Sequence, residues 1–170
     1  MKGAFTKILL SLIISIIGIN QLPVNSQTKP QTEVPKLAQK IATKIEELKQ
    51  SEQKWIEINV QKQRLIAWEG NKQVYAVIIS TGKKSTPTPI GTFDIKYKMV
   101  SDRMKGDGYD LPKVPYVMYY ETKRGFAIHG ADWHRKFGTP VSHGCTNVAV
   151  NHAEWLFKWV EVGTPVVVRK

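Results

Sequence analysis

The chain carries a single cysteine, Cys145, among 170 residues. That scarcity excludes an internal disulfide, a multi-thiolate zinc site and an iron–sulfur cluster, each of which needs several Cys ligands. Acids are also few: 14 Asp and Glu stand against 25 Lys and Arg, for a net charge of +11. Such a surface favours anionic partners without naming them. With 42% hydrophobic and 23% charged residues, the composition is near globular usage. It excludes a disordered chain and a polytopic membrane protein, and the length leaves room for one ordinary domain with a short appendage.

The amino terminus has the order of a secretory signal. Lys2 and Lys7 form a basic head, Ile8 to Ile19 is apolar apart from small residues, and Asn20 to Gln27 turns polar around Pro23. Cleavage is expected after Ser26, with Val24 also small, which makes residues 1–26 a signal peptide. The competing reading, an uncleaved anchor, meets an apolar run short of the roughly 20 residues that span a bilayer. No Cys follows the run, which argues against a lipoprotein. The mature protein is therefore expected to be exported, still basic and without stable membrane insertion.

Residues 27–53 are read as a spacer and an amphipathic helix: Gln27 to Pro35 is rich in Gln, Thr and Pro, and Lys36 to Gln50 places Leu37, Ile41, Ile45 and Leu48 on one stripe. Residues 54–169 form the expected catalytic or binding domain. The period there is two. Ile56 to Val60, Leu65 to Trp68, Val74 to Ile79, Phe93 to Met99, Val117 to Tyr120, Phe126 to His129 and Val166 to Arg169 read as strands. Glu69-Gly70-Asn71 reads as a turn, Lys83-Lys84 as a solvated one, and Ser101 to Lys113 as a long loop able to flank a site. His152 to Val160 suits a late helix capped by Asn151, with Trp155, Leu156 and Trp159 as its buried stripe. The fold class is mainly β, a sandwich or partly closed barrel with one late helix and a short N-terminal helix.

The chemistry gathers at Cys145. An exported protein keeping one unpaired thiol in an oxidising compartment needs a reason, and the polar Ser142-His143-Gly144-Cys145-Thr146-Asn147 does not suit a buried inert Cys. His129-Gly130, ending a β-like segment, supplies a second imidazole. Cys with His is a candidate acyl-transfer pair, because an imidazole can take the thiol proton and create the nucleophilic thiolate. His134 and His152 with one Cys lack the spacing of a metal cage, so neither a metal nor a cofactor is expected.

Ile128-His129-Gly130 followed by Ser142-His143-Gly144-Cys145 resembles the L,D-transpeptidases of the YkuD type, which cross-link or modify peptidoglycan. Ser80-Thr81-Gly82, Thr86 to Phe93 and Gly163 to Val167 are similar to the same family, so the resemblance runs from about Trp55 to Val168. It implies that Cys145 attacks the bond between the third residue of a stem tetrapeptide and its terminal D-Ala, forming a thioester that an amine on a second stem peptide resolves. It implies His129 as acid/base, oriented by a backbone carbonyl near Gly130, and main-chain N–H groups around Gly144 and Cys145 as oxyanion donors. His143 is either catalytic or a shaper of the Cys loop. Ser142, Gly144, Asn147 and Trp133 are the candidate substrate contacts, Trp133 having packing as its alternative and Asn147 loop bracing. Many members carry Arg at the place of Asn147, whereas others carry Asn. Arg124 and Arg135 are then the nearest candidates for a donor carboxylate. The resemblance also implies the periplasm or cell wall as the place of action.

The expected partners are peptidoglycan stem peptides as donor and acceptor, with anionic wall polymers also suited to the basic charge; nucleic acid is not expected. Two other readings stand beside the transpeptidase: a noncatalytic basic wall-binding module, which has no need of Cys145, and a carboxypeptidase or exchange enzyme in which water or a D-amino acid resolves the thioester.

Overall fold

The computed structural model describes residues 33–170. The expected signal peptide and most of the spacer lie outside the described residues. Within them the chain is mainly β: α1 (Glu33–Lys49), β1 (Lys54–Asn59), β2 (Arg64–Glu69), β3 (Lys72–Ile78), β4 (Gly91–Asp94), β5 (Tyr97–Gly106), β6 (Tyr109–Glu121), β7 (Phe126–Gly130), β8 (Thr146–Val148), α2 (Val150–Trp159) and β9 (Pro165–Arg169). The strands form two mixed sheets, β3-β2-β1-β9-β4 and β5-β6-β7-β8. The two sheets remain separate rather than closing into one barrel.

The first sheet is covered on both faces. Ile56, Ile58, Val166 and Val168 point toward the second sheet and meet Met118, Tyr120, Ile128, Val148 and the Ala153–Leu156 side of α2 in the main core. On the other face, Trp55 and Val167 pack under Ile41 and Leu48 of α1, with Ile45 beside them. This explains why β1 is buried almost throughout although its sequence alternates apolar and polar. Glu57 faces α1, where Arg169 Nε pairs with it at 2.5 Å and Trp68 Nε1 donates at 3.1 Å. A buried carboxylate is tolerated because both oxygens have donors.

Several expectations are corrected. α1 begins at Glu33, so Glu33–Pro35 are helical rather than spacer; Pro35 fits because first-turn N–H groups have no intrahelical partner. Phe93 to Met99 is two strands. The break at Ile95-Lys96 carries the chain from the first sheet to the second. Ser101 to Lys113 is not a loop but most of a long β5–β6 hairpin, closed by Asp107-Gly108 with Gly108 at φ +80°. Its polar, glycine-containing sequence hides the pairing because the hairpin is largely solvated. α2 is capped by Ala149 through backbone alone, and Asn151 lies exposed inside the helix. Trp155 and Trp159 are half-buried, forming a stack with Tyr75, while Ala153 and Leu156 reach the core.

Candidate active site

β7 and β8 run parallel with His129 opposite Asn147 and Ile128 opposite Thr146. Residues in register share a face, and residues two apart on a strand return to it. Ala127, His129, Cys145 and Asn147 therefore lie on the outer face of the second sheet, while Ile128, Thr146 and Val148 turn into the core. Residues 16 positions apart in sequence, His129 and Cys145, thereby reach the same face and the same cleft. Gly130 is where β6 crosses: an added Cβ would stand 2.9 Å from Pro115 Cγ and 3.1 Å from its carbonyl oxygen.

His129 is 2% exposed, and its Nδ1 lies 2.9 Å from the Gly130 carbonyl oxygen. A carbonyl only accepts, so Nδ1 carries the proton and Nε2 keeps its lone pair. Burial holds this imidazole down to about 4, against the raising effect of the Gly130 carbonyl and with His134 adding to the lowering. The Cys145 thiol is pushed up to about 11 by burial, opposed by an Ala127 backbone contact. Its Sγ lies 3.7 Å from the Gly125 carbonyl oxygen. At neutral pH the pair rests as thiol and neutral imidazole.

The turn before Cys145 is held from within and from outside. Ser142 Oγ donates to the Cys145 carbonyl at 2.5 Å and accepts the Gly144 N–H at 3.0 Å, so its hydroxyl is committed inside the turn. Gly144 sits at φ +125°, and a Cβ there would fall 2.2 Å from Phe126 Cε1. Thr88 Oγ1 donates to the Gly144 carbonyl at 2.8 Å and accepts the Gly82 N–H at 2.9 Å. Thr86 Oγ1 and the Lys83 N–H both reach the Ser142 carbonyl, each at 3.1 Å. The stretches Ser80–Gly82 and Thr86–Thr88, noticed in the sequence only as family-like, brace the cysteine.

A cleft of about 630 Å³ opens over this face, lined by His129, Trp133, His134, Arg135, Lys136, Ser142, His143, Cys145 and Asn147, with Met104, Tyr109 and Leu111 from the β5–β6 hairpin. Trp133 is 41% exposed, its ring 5.7 Å from that of His129. His143 is exposed and stacks on Tyr109 with centroids 4.7 Å apart. Its Nε2 lies 3.4 Å from Lys83 Nζ. An ammonium only donates, so Nε2 accepts there and the His143 lone pair is engaged.

Asn147 is 3% exposed, and its amide is 2.9 Å from His134 Nε2. The Lys136 N–H donates to His134 Nδ1 at 3.1 Å. The neutral ring therefore has its proton on Nε2, and the amide end facing it is the carbonyl oxygen, the two ends being interchangeable by a flip. Arg135 lines the cleft; Arg124 instead lies over the Phe126 ring at 4.6 Å and pairs with Glu121 at 3.6 Å. Tyr109, Thr88, Lys83 and His134 were not legible as site residues, because only the folded chain brings them to Cys145. Among the described residues no group of three or more His, Cys, Asp or Glu is arranged to hold a metal ion.

The L,D-transpeptidase catalytic domain model of the YkuD type matches residues 53–168. The chain belongs to this family. The solved catalytic domain of the Enterococcus faecium L,D-transpeptidase is 34% identical, with a TM-score of 0.63 over 69% of this chain and 98% of that one. The Mycobacterium tuberculosis L,D-transpeptidase 1 is 36% identical over 101 residues, 52% of this chain and 39% of that protein. A structure of LdtMt1 in complex with imipenem aligns at 28% identity and TM-score 0.64, over 68% of this chain and 58% of that chain. The chain covers 64% of a Bacillus subtilis relative named for the same family and 39% of the mycobacterial one, less than two thirds of each. The L,D-transpeptidase likeness falls on the two sheets and the site between β7 and β8.

Proposed function

We propose that this protein is an exported cysteine acyltransferase acting on peptidoglycan stem tetrapeptides. The observation that carries this reading is a buried imidazole with Nδ1 locked on the Gly130 carbonyl, on the same sheet face and in the same cleft as the only thiol. In the first step Cys145 Sγ bonds to the carbonyl carbon before the terminal D-Ala. His129 Nε2 takes the thiol proton and returns it to the departing D-Ala amine, leaving a thioester. An acceptor amine then attacks, its proton passing through His129 back to Sγ. Because the Gly144 N–H is held by Ser142 Oγ, the Cys145 N–H, which meets no protein acceptor among the described residues, is the donor available to the developing oxyanion.

His143 acts in this scheme as a shaper of the cysteine loop, since Lys83 occupies its Nε2 and Tyr109 one ring face. Gly130 orients the base, Trp133 walls the cleft, and Ser142 and Gly144 set the turn. Asn147 braces His134 and forms part of the cleft wall. Residues 1–26 serve as the export signal, residues 27–53 link it to the domain through α1, and residues 54–169 are the catalytic domain, acting in the periplasm or cell wall. Among the described residues no helix is long and apolar enough to cross a membrane.

The test is incubation of the purified protein with a stem tetrapeptide and an amine acceptor, with products read by mass spectrometry. The expected products are free D-Ala and a cross-linked dimer. Free tripeptide and D-Ala without the cross-linked dimer would instead assign a carboxypeptidase, and wall association that persists without turnover would support the binding module. A carbapenem should acylate Cys145 and no other residue, as peptide mapping can check. His129→Ala should slow acylation roughly 10²–10⁴-fold with substrate affinity much less changed; near-full activity there with loss in His143→Ala would reverse the two roles.

A further inference from the structure

The cleft carries more positive charge than the donor's terminal carboxylate alone would engage. No Asp or Glu lines it, whereas Arg135 and Lys136 do. Eight ion pairs occur among the described residues, and neither Arg135 nor Lys136 takes part in any of them; nor does Lys83, which meets His143 at the cleft wall. The reacting pair does not absorb this charge, because Cys145 and His129 both rest neutral. Asp132 is on the same segment, but the contact it makes with Arg135 is through its backbone: Arg135 Nη1 donates to the Asp132 and His134 carbonyls at 3.2 and 3.3 Å. Those two bonds steady the guanidinium and leave Nε and Nη2 for a ligand. A guanidinium fork and an adjacent ammonium are suited to carboxylates, and a primary amide in the same place offers them no charge.

We propose that Arg135 and Lys136 make this enzyme discriminate among donor stem peptides by negative charge, selecting stems whose carboxylates are free over stems in which they are amidated. The inference rests on the acyl-transfer reading above and adds the donor class to it. Both cations are exposed, so their effect is one of selection and encounter rather than of tight binding, and salt weakens it.

The experiment uses the full-length protein and two synthetic tetrapeptides with the same terminal D-Ala carboxylate, one with its other stem carboxylates free and one with them converted to primary amides. D-Ala release is followed at low and at high salt. The free-carboxylate peptide is expected to have a kcat/KM about 3–10-fold higher per charge removed, mainly through KM, with the ratio shrinking at high salt. The double variant Arg135→Gln/Lys136→Gln should bring the ratio toward one, and Lys136→Glu should turn it in favour of the amidated peptide. Thermal unfolding of each variant reports that it is folded. Equal use of both peptides by the native protein, or a preference unchanged in the double variant, overturns the proposal while leaving acyl transfer standing. Release from neither peptide, with Cys145 still acylated by a carbapenem, overturns the stem-peptide reading and this proposal with it.

Discussion

His129 and Asn147 are neighbours in register, and the hydrogen bonds around each define what it can do. Burial depresses the His129 pKa to about 4 from an ordinary 6.5. The unfolded chain therefore binds a proton more readily than the folded one between those values. Stability from this group is complete above about pH 6.5 and is lost as pH falls toward 4, by about 3 kcal/mol in all. His129→Gln should remove most of that acid sensitivity in a denaturant titration repeated from pH 7 to 4. The kinetic counterpart follows from the same pair: with the base neutral above about 4 and the thiol protonated below about 11, acylation should be flat with pH across the neutral range. A rate rising through an apparent pKa near 7 would instead signal a base that titrates in the neutral range, one less desolvated than burial makes His129. Asn147→Ala should weaken acylation by tetrapeptide and free His134. If a small alkylating reagent still reacts with Cys145 at a near-normal rate, the amide serves the donor; a parallel collapse of thiol reactivity and thermal stability would make it a brace.

At the scale of elements, the β5–β6 hairpin and the turn before Cys145 shape the cleft from two sides. Tyr109 closes the hairpin tip over His143, and Met104 and Leu111 continue that wall. Tyr109→Ala is expected to speed alkylation of Cys145 by a small reagent while lowering kcat/KM for the tetrapeptide, since the wall is opened but a substrate contact is removed. The turn tolerates less. Gly144→Ala combines a left-handed backbone with a collision on Phe126, and should cost about 2–4 kcal/mol in thermal or denaturant unfolding together with acylation. Shortening the ring in Gly144→Ala/Phe126→Leu relieves the collision but not the backbone, so rescue should be partial.

Across the whole molecule, the two sheets are joined next to the site by a short run after β3. Ser80 and Asn147 exchange backbone hydrogen bonds at 2.8 and 2.9 Å, and Gln63 secures the run by accepting the Thr81 N–H at 2.8 Å. Thr88 then ties Gly82 to Gly144. Thr88→Val keeps the shape and removes both bonds, leaving the part-buried Gly82 N–H and the buried Gly144 carbonyl without this partner. The expected loss is about 2–4 kcal/mol of stability, with slower Cys145 acylation in a protein that still folds. Unchanged acylation in a measurably destabilised variant would show that the tie serves the fold alone.

Much of this is legible in the sequence. Six of the seven β-like segments are strands as read, because such apolar patterning is a local property, whereas Phe93–Met99 is divided between β4 and β5; the stripe Leu37, Ile41, Ile45 and Leu48 marks α1 for the same local reason. Cys145 and His129 were legible because a lone thiol in a polar, glycine-containing turn and an imidazole after a β segment are chemically unusual where they stand. Tertiary structure alone decided the rest. Only the parallel register of β7 and β8 places His129 beside Cys145, only sheet pairing converts Ser101–Lys113 into a cleft wall, and only the fold buries Glu57 against Arg169. Hydrogen-bond roles were equally out of reach of the sequence: the proton position on His129, the engagement of His143 by Lys83 and the turning of Asn147 toward His134 depend on partners distant in the chain. Local periodicity and residue chemistry are carried by neighbours along the chain, whereas register, desolvation and tautomer are set by neighbours across it.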